Sequence, residues 1–132
     1  MTSSQHRSPA SPPRLLVVMD PIQANEPAKD SSFAMLLEAQ ERGWSSRYAE
    51  LDDLWIRDGE AWGRTTEVRV RDDAQDWFDL GTSEDARLGD FDVILMRKDP
   101  PFDAEYVFAT YILERAESAG ALVVNRAQSL RD

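Results

Sequence analysis

Three short runs of uninterrupted apolar residues constrain this chain more than any other feature: Leu15-Leu16-Val17-Val18-Met19, Val93-Ile94-Leu95-Met96 and Leu122-Val123-Val124. Aliphatic runs of this length, with no polar alternation, are the pattern of strands covered on both faces, which is the parallel-sheet case. Helix signals stand between them. Asp30 or Ser31 can cap a helix whose Phe33, Leu36, Leu37 and Gln40 share one face, and Gly43 follows as its stop. Asp103 can cap a second helix, with Glu105 in the first turn, a Phe102 to Val107 staple across the start and Gly120 at the end. The buried stripe of that helix is predicted as Val107, Phe108, Tyr111 and Ile112. Strands alternating with helices predict an α/β layered sheet with right-handed crossovers, whose ligands bind beyond the carboxyl ends of the strands. Those ends are Asp20, Arg97 and Asn125.

The intervening segments modify this plan. A further strand is expected from Trp44 to Ala49. Asp58-Gly59 between Leu54-Trp55-Ile56 and Ala61-Trp62 is a hairpin turn signal, so a hairpin insertion is expected to interrupt the alternation. Thr65 to Val70 extends a strand, and the acidic stretch from Arg71 to Asp92 is expected to be mostly irregular, anchored by Trp77, Phe78 and Leu80. Residues 1–13, rich in Ser and Pro and without a long apolar core, are expected to form a disordered tail rather than a secretory signal. Residues 14–125 are then one domain, in keeping with 132 residues of 42% hydrophobic content. Gln128 to Asp132 looks like the opening of another helix, so 126–132 are expected to begin a connection to a part that is absent.

Charge and composition exclude several classes of function. With 15 basic and 25 acidic side chains the net charge is -10, which repels nucleic acid and anionic lipid surfaces. No apolar run approaches the roughly 20 residues that span a bilayer. The chain has no Cys, which removes thiol catalysis and thiolate metal sites and fits a reducing cytoplasm. Its one His, His6, falls in the tail, leaving no partner for a Ser-His-Asp triad or for His metal ligation. No G-x-G-x-x-G or G-x-x-x-x-G-K-[ST] follows the first strand, so no dinucleotide or P-loop phosphate cradle is present.

Two loops remain as candidates. From Asp20 to Ser32, a strand end, Lys29 and the amide groups of a helix start converge, an arrangement that attracts carboxylate or phosphate. Capping of the helix by Asp30 and Ser31 accounts for the same residues without a ligand. Arg97-Lys98-Asp99-Pro100-Pro101 follows the second apolar strand: Arg supplies a planar fork for carboxylates, Lys a point charge, and the prolines stiffness. Ion pairing with Asp99 or Asp103 is the competing account. The acidic run from Asp72 to Asp92 has no EF-hand spacing and reads as solvated surface. Trp44, Trp55, Trp62 and Trp77 read as packing residues.

At these same positions the sequence resembles bacterial glutathione synthetases. The resemblance is carried by Val18-Met19-Asp20-Pro21-Ile22, by Lys29-Asp30-Ser31-Ser32-Phe33-Ala34-Met35 with the residues to Gln40, and by Leu95-Met96-Arg97-Lys98-Asp99-Pro100-Pro101-Phe102-Asp103. It continues through Ala109 to Ala116 and ends on Gln128-Ser129-Leu130-Arg131-Asp132. The family pattern usually has Asn-Lys-Pro where this chain has Asn125-Arg126-Ala127. The resemblance implies a three-layer Rossmann-like (pre-ATP-grasp) domain of an ATP-dependent ligase that joins γ-glutamylcysteine to glycine through an acyl phosphate. It implies that ATP and Mg2+ or Mn2+ are held by an ATP-grasp domain beyond these residues, and that the enzyme assembles as a homo-oligomer. Ser31, Arg97 and Lys98 are then expected as substrate contacts, with no catalytic, cofactor or metal residue in this chain and no activity on its own. The alternative is a stand-alone anionic-ligand-binding or receiver-like module. A receiver needs an acidic pair after the first strand and a central acceptor Asp; Asp20 stands alone, and Lys98 has no matching acceptor.

Overall fold

The computed structural model describes residues 11–24, 31–73, 75–97 and 103–125. Its strands are β1 (Arg14–Met19), β2 (Ser45–Ala49), β3 (Leu54–Arg57), β4 (Glu60–Val70), β5 (Phe78–Arg87), β6 (Val93–Arg97) and β7 (Leu122–Asn125). Its helices are α1 (Ser31–Glu41) and α2 (Ala104–Ser118). The strands form one seven-stranded sheet in the order β3-β4-β2-β1-β6-β7, with β5 on β4. β1 pairs in parallel with β2 and β6, and β6 with β7, while β4 pairs antiparallel with β2, β3 and β5.

β1 shows why an unbroken apolar run was needed. Leu15, Val17 and Met19 pack with Leu36 and Ala39 of α1, while Leu16 and Val18 pack with Ala109, Ile112 and Ala116 of α2. Successive strand residues point to opposite faces, so the two helices cover opposite sides and the domain has three layers. Both helices end as expected. At α1 the Trp44 N–H reaches the Ala39 carbonyl (2.9 Å) and the Gly43 N–H the Gln40 carbonyl (3.0 Å), the bond pair of a Schellman stop with Gly43 at φ +83°. α2 repeats it through Ala121 to Ala116 and Gly120 to Glu117. Its start is capped by the Asp103 carboxylate, which accepts from the Tyr106 N–H at 3.1 Å.

The hairpin forms where it was expected. Arg57 pairs with Glu60, leaving Asp58 and Gly59 as a two-residue loop with positive φ at both, 53° and 80°. Trp55 and Trp62 are direct partners across it, with rings stacked at 6.5 Å. The insertion is larger than a hairpin, however. β4 runs for 11 residues, and the stretch expected to be irregular contains β5, a ten-residue strand along β4. Trp62 and Gly63 pair with both β3 and β5, and Thr66 with both β2 and β5, so β2 and β3 share one edge of β4 while β5 covers the other. β5 is exposed and highly charged, so its order comes from β4's hydrogen bonds rather than from burial. Trp77 is buried beside Phe33 and Phe78, whereas the expected anchor Leu80 is 38% exposed.

Two further expectations are corrected. The buried stripe of α2 is Tyr106, Ala109, Ile112, Leu113 and Ala116, while Val107, Phe108 and Tyr111 are exposed. The small Ala109 and Ala116 bring the helix close to the sheet, and that closeness outweighs the bulk of the competing side chains. β7 is not buried on both faces either: as the sheet edge it leaves Leu122 and Val124 exposed. Residues 1–10, the cap candidate Asp30, the staple residue Phe102 and 126–132 lie outside the described residues. The Pro13 carbonyl accepts from the Ser45 N–H at 3.0 Å, so strand pairing begins just before β1.

Candidate functional site

The parallel register places the candidate loops side by side. Met19, the last residue of β1, pairs with Arg97, the last of β6, and Met96 pairs with Asn125. Asp20, Arg97 and Asn125 therefore end neighbouring strands at one edge, the edge at which ligands of layered α/β sheets bind. α1 starts there too. The Arg97 guanidinium donates from Nε to the Ser32 hydroxyl at 2.8 Å, a bond joining residues 65 apart in sequence. Ser32 is 1% exposed and Arg97 partly buried, so the bond fixes the plane of the guanidinium against a rigid wall.

The floor of the first loop is set by Tyr48, at the end of β2. Its hydroxyl accepts from the Ile22 N–H at 2.9 Å and donates to the Glu50 carboxylate. Burial, followed by the Glu50 hydrogen bond, pushes the phenol well above its ordinary range. Ile22 is fully buried, so the chain leaving β1 is held by both its side chain and its backbone.

Of the three residues expected at the site, Arg97 stands at the edge, Ser31 opens α1 beside it, and Lys98 lies outside the described residues. Ser32 was missed by sequence reasoning, although two serines opening a helix next to a strand end were signal enough to name both. Tyr48 was also missed; a Tyr one residue from a strand's carboxyl end was its only sign. Among the described residues no three His, Asp or Glu side chains come together as a metal site, and the sequence lacks a phosphate loop. What this edge can do is present a fixed, planar cation to a carboxylate.

Residues 14–131 match the family described as prokaryotic glutathione synthetase, N-terminal domain. The chain belongs to that family. Among its relatives, glutathione synthetase of Yersinia pestis is 57% identical over 119 residues, covering 90% of this chain and 37% of the relative. Those of Pseudomonas aeruginosa and Escherichia coli K12 are 59% and 55% identical over the same length, covering 38% of each relative. The chain therefore spans a little over a third of the length of these glutathione synthetases. Within the glutathione synthetase amino-terminal domain, then, the Arg97–Ser32 pair sits where β1, β6 and α1 converge. No helix among the described residues is long and apolar enough to cross a membrane.

Proposed function

We propose that this chain is the substrate-side part of a glutathione synthetase, an ATP-dependent ligase joining γ-glutamylcysteine to glycine through an acyl phosphate. Residues beyond this domain hold ATP and Mg2+ or Mn2+, and the chain does not ligate alone. Ser31, Arg97 and Lys98 are its substrate contacts, with Ser32 orienting Arg97. The observation that carries this reading is the Arg97 guanidinium, held at the carboxyl edge of the sheet by its 2.8 Å bond to a fully buried Ser32. The two substrates carry three carboxylates between them, and a pre-oriented guanidinium binds a carboxylate at lower entropic cost than a mobile one. A reducing cytoplasm is the compartment that suits a chain without Cys.

The test is Arg97→Ala in an enzyme carrying this domain ahead of its ATP-binding part. Losing a charge-assisted contact is expected to raise the KM for γ-glutamylcysteine by on the order of tenfold or more, with kcat less affected. Ser32→Ala is expected to raise it less, because the charge remains while its orientation loosens. An unchanged KM in Arg97→Ala would remove Arg97 from the site.

A further inference from the structure

Charges of opposite sign stand in one row at the carboxyl edge of the sheet. Val18 pairs with Ala49, so Glu50, the next residue, comes level with Met19, and Met19 pairs with Arg97 on its other side. All three lie on the α1 face. Met19 packs in the cluster under α1, Arg97 reaches Ser32 in the first turn of that helix, and Glu50 continues β2 in extended backbone, φ -102° and ψ 169°, on the same side as Tyr48. Two strand spacings separate Glu50 from Arg97, about 10 Å between their backbones. Both charges are held in place. Arg97 has its bond to Ser32, while the Glu50 carboxylate accepts from the Tyr48 hydroxyl and the Glu50 N–H donates to the Asp53 carboxylate at 2.8 Å. Glu50 is partly buried, and no Lys or Arg pairs with it among the described residues.

We propose that Glu50 binds the ammonium group of γ-glutamylcysteine and so sets the direction in which that substrate lies along the edge, with a substrate carboxylate at Arg97. The inference rests on the reading of this edge as the substrate site. A guanidinium alone recognises only the anionic groups of this substrate, which also carries one cation. Of the two amines in the reaction, that of glycine must lose a proton to attack an acyl phosphate, whereas the γ-glutamyl amine takes no part and stays cationic throughout. A fixed carboxylate suits the second, because a neighbouring negative charge favours the protonated amine. The bond from Tyr48 does not use up this carboxylate, since its two oxygens accept from about four directions. The lengths agree as well. Seven bonds separate the γ-glutamyl nitrogen from the cysteinyl carboxyl carbon, roughly 9 Å when extended, which is close to the spacing of the two poles.

The test compares γ-glutamylcysteine with glutarylcysteine, which lacks only the α-amine, in an enzyme carrying this domain ahead of its ATP-binding part. Binding of the analogue is read as its inhibition constant against γ-glutamylcysteine. The parent is expected to prefer γ-glutamylcysteine by about tenfold or more. Glu50→Gln keeps an acceptor for Tyr48 and removes the charge, so it should raise the KM for γ-glutamylcysteine by about tenfold while the constant for glutarylcysteine stays within about twofold. The preference is then lost, and Glu50→Asp should restore part of it. Arg97→Ala is expected to weaken both compounds alike, since both keep their carboxylates. An equal loss for the two compounds in Glu50→Gln would mark a purely structural residue and overturn the proposal, and so would a preference that survives the substitution. The two readings fail separately: if Arg97→Ala moves neither constant, Arg97 leaves the site, while a selective effect of Glu50→Gln still assigns the ammonium to Glu50.

Discussion

Tyr48 carries two hydrogen bonds on one oxygen: the one donated to Glu50 depends on its proton, and the one accepted from the Ile22 N–H does not. The phenol donates to Glu50 and accepts from the Ile22 N–H, and burial with the neighbouring carboxylate holds it protonated far above the ordinary tyrosine range. An unfolded tyrosine ionises near pH ~10. Above that pH the unfolded state loses a proton that the folded state keeps, so stability is intact below about pH 10 and falls as pH rises further. Tyr48→Phe is expected to flatten that alkaline loss and to cost about 1 to 2 kcal/mol at neutral pH, since Ile22 loses its acceptor. Urea unfolding at neutral and alkaline pH checks both. Gln40 shows the same dependence on placement. It was expected only on an apolar helix face, yet its amide forms a pair of 2.9 Å bonds with the backbone N–H and carbonyl of Val70, closing the end of β4 as another strand would. Arg47 is buried with bonds to the Thr65 hydroxyl and to the carbonyls of Thr65 and Thr82. Nothing in the sequence separates Arg47 from the exposed basic residues, because its partners come from β4 and β5.

At the scale of elements, termini were legible, as was the buried face of α1, but the buried face of α2 was not. The Asp103 cap, the Gly43 and Gly120 stops and the Asp58-Gly59 turn are local bonding choices made within a few residues, so the sequence carries them in full. Which side of α2 faces the sheet is not local. Two apolar stripes run along that helix, and the one with alanines at 109 and 116 is buried. Ile112→Ala is therefore expected to cost about 2 to 5 kcal/mol, while Tyr111→Ser should stay within about 0.5 kcal/mol of the parent. Thermal and chemical denaturation of both variants checks this, and equal losses would contradict the orientation of α2. β5 makes a related point. From Gly81 to Arg87, apart from Thr82, β5 has few residues that favour strands, and the free edge of the 11-residue β4 gives it its pairing partner.

For the whole molecule, the proposed function makes this domain one part of a site that residues beyond it complete. The purified 132-residue chain is expected to form no glutathione from ATP, γ-glutamylcysteine and glycine, and millimolar ATP with Mg2+ should leave its Tm unmoved. A ligand held by the native state would raise the Tm in proportion to ln(1 + [L]/Kd), so thermal scans with and without nucleotide read this directly. The sequence alone determined the layered α/β class, the places of the three apolar strands at 15, 93 and 122, the helix ends and the family, since apolar runs and capping signals are written in adjacent residues. That Asp20 and Arg97 end neighbouring strands at one edge was legible by the same rule, because each follows an apolar strand. Only the tertiary structure decided that Ser32 reaches Arg97, that Tyr48 holds the first loop, that β5 lines β4 and that β7 leaves Leu122 and Val124 exposed. These depend on contacts between residues far apart in the chain, and such contacts exist only once strand order and helix faces have been chosen by packing.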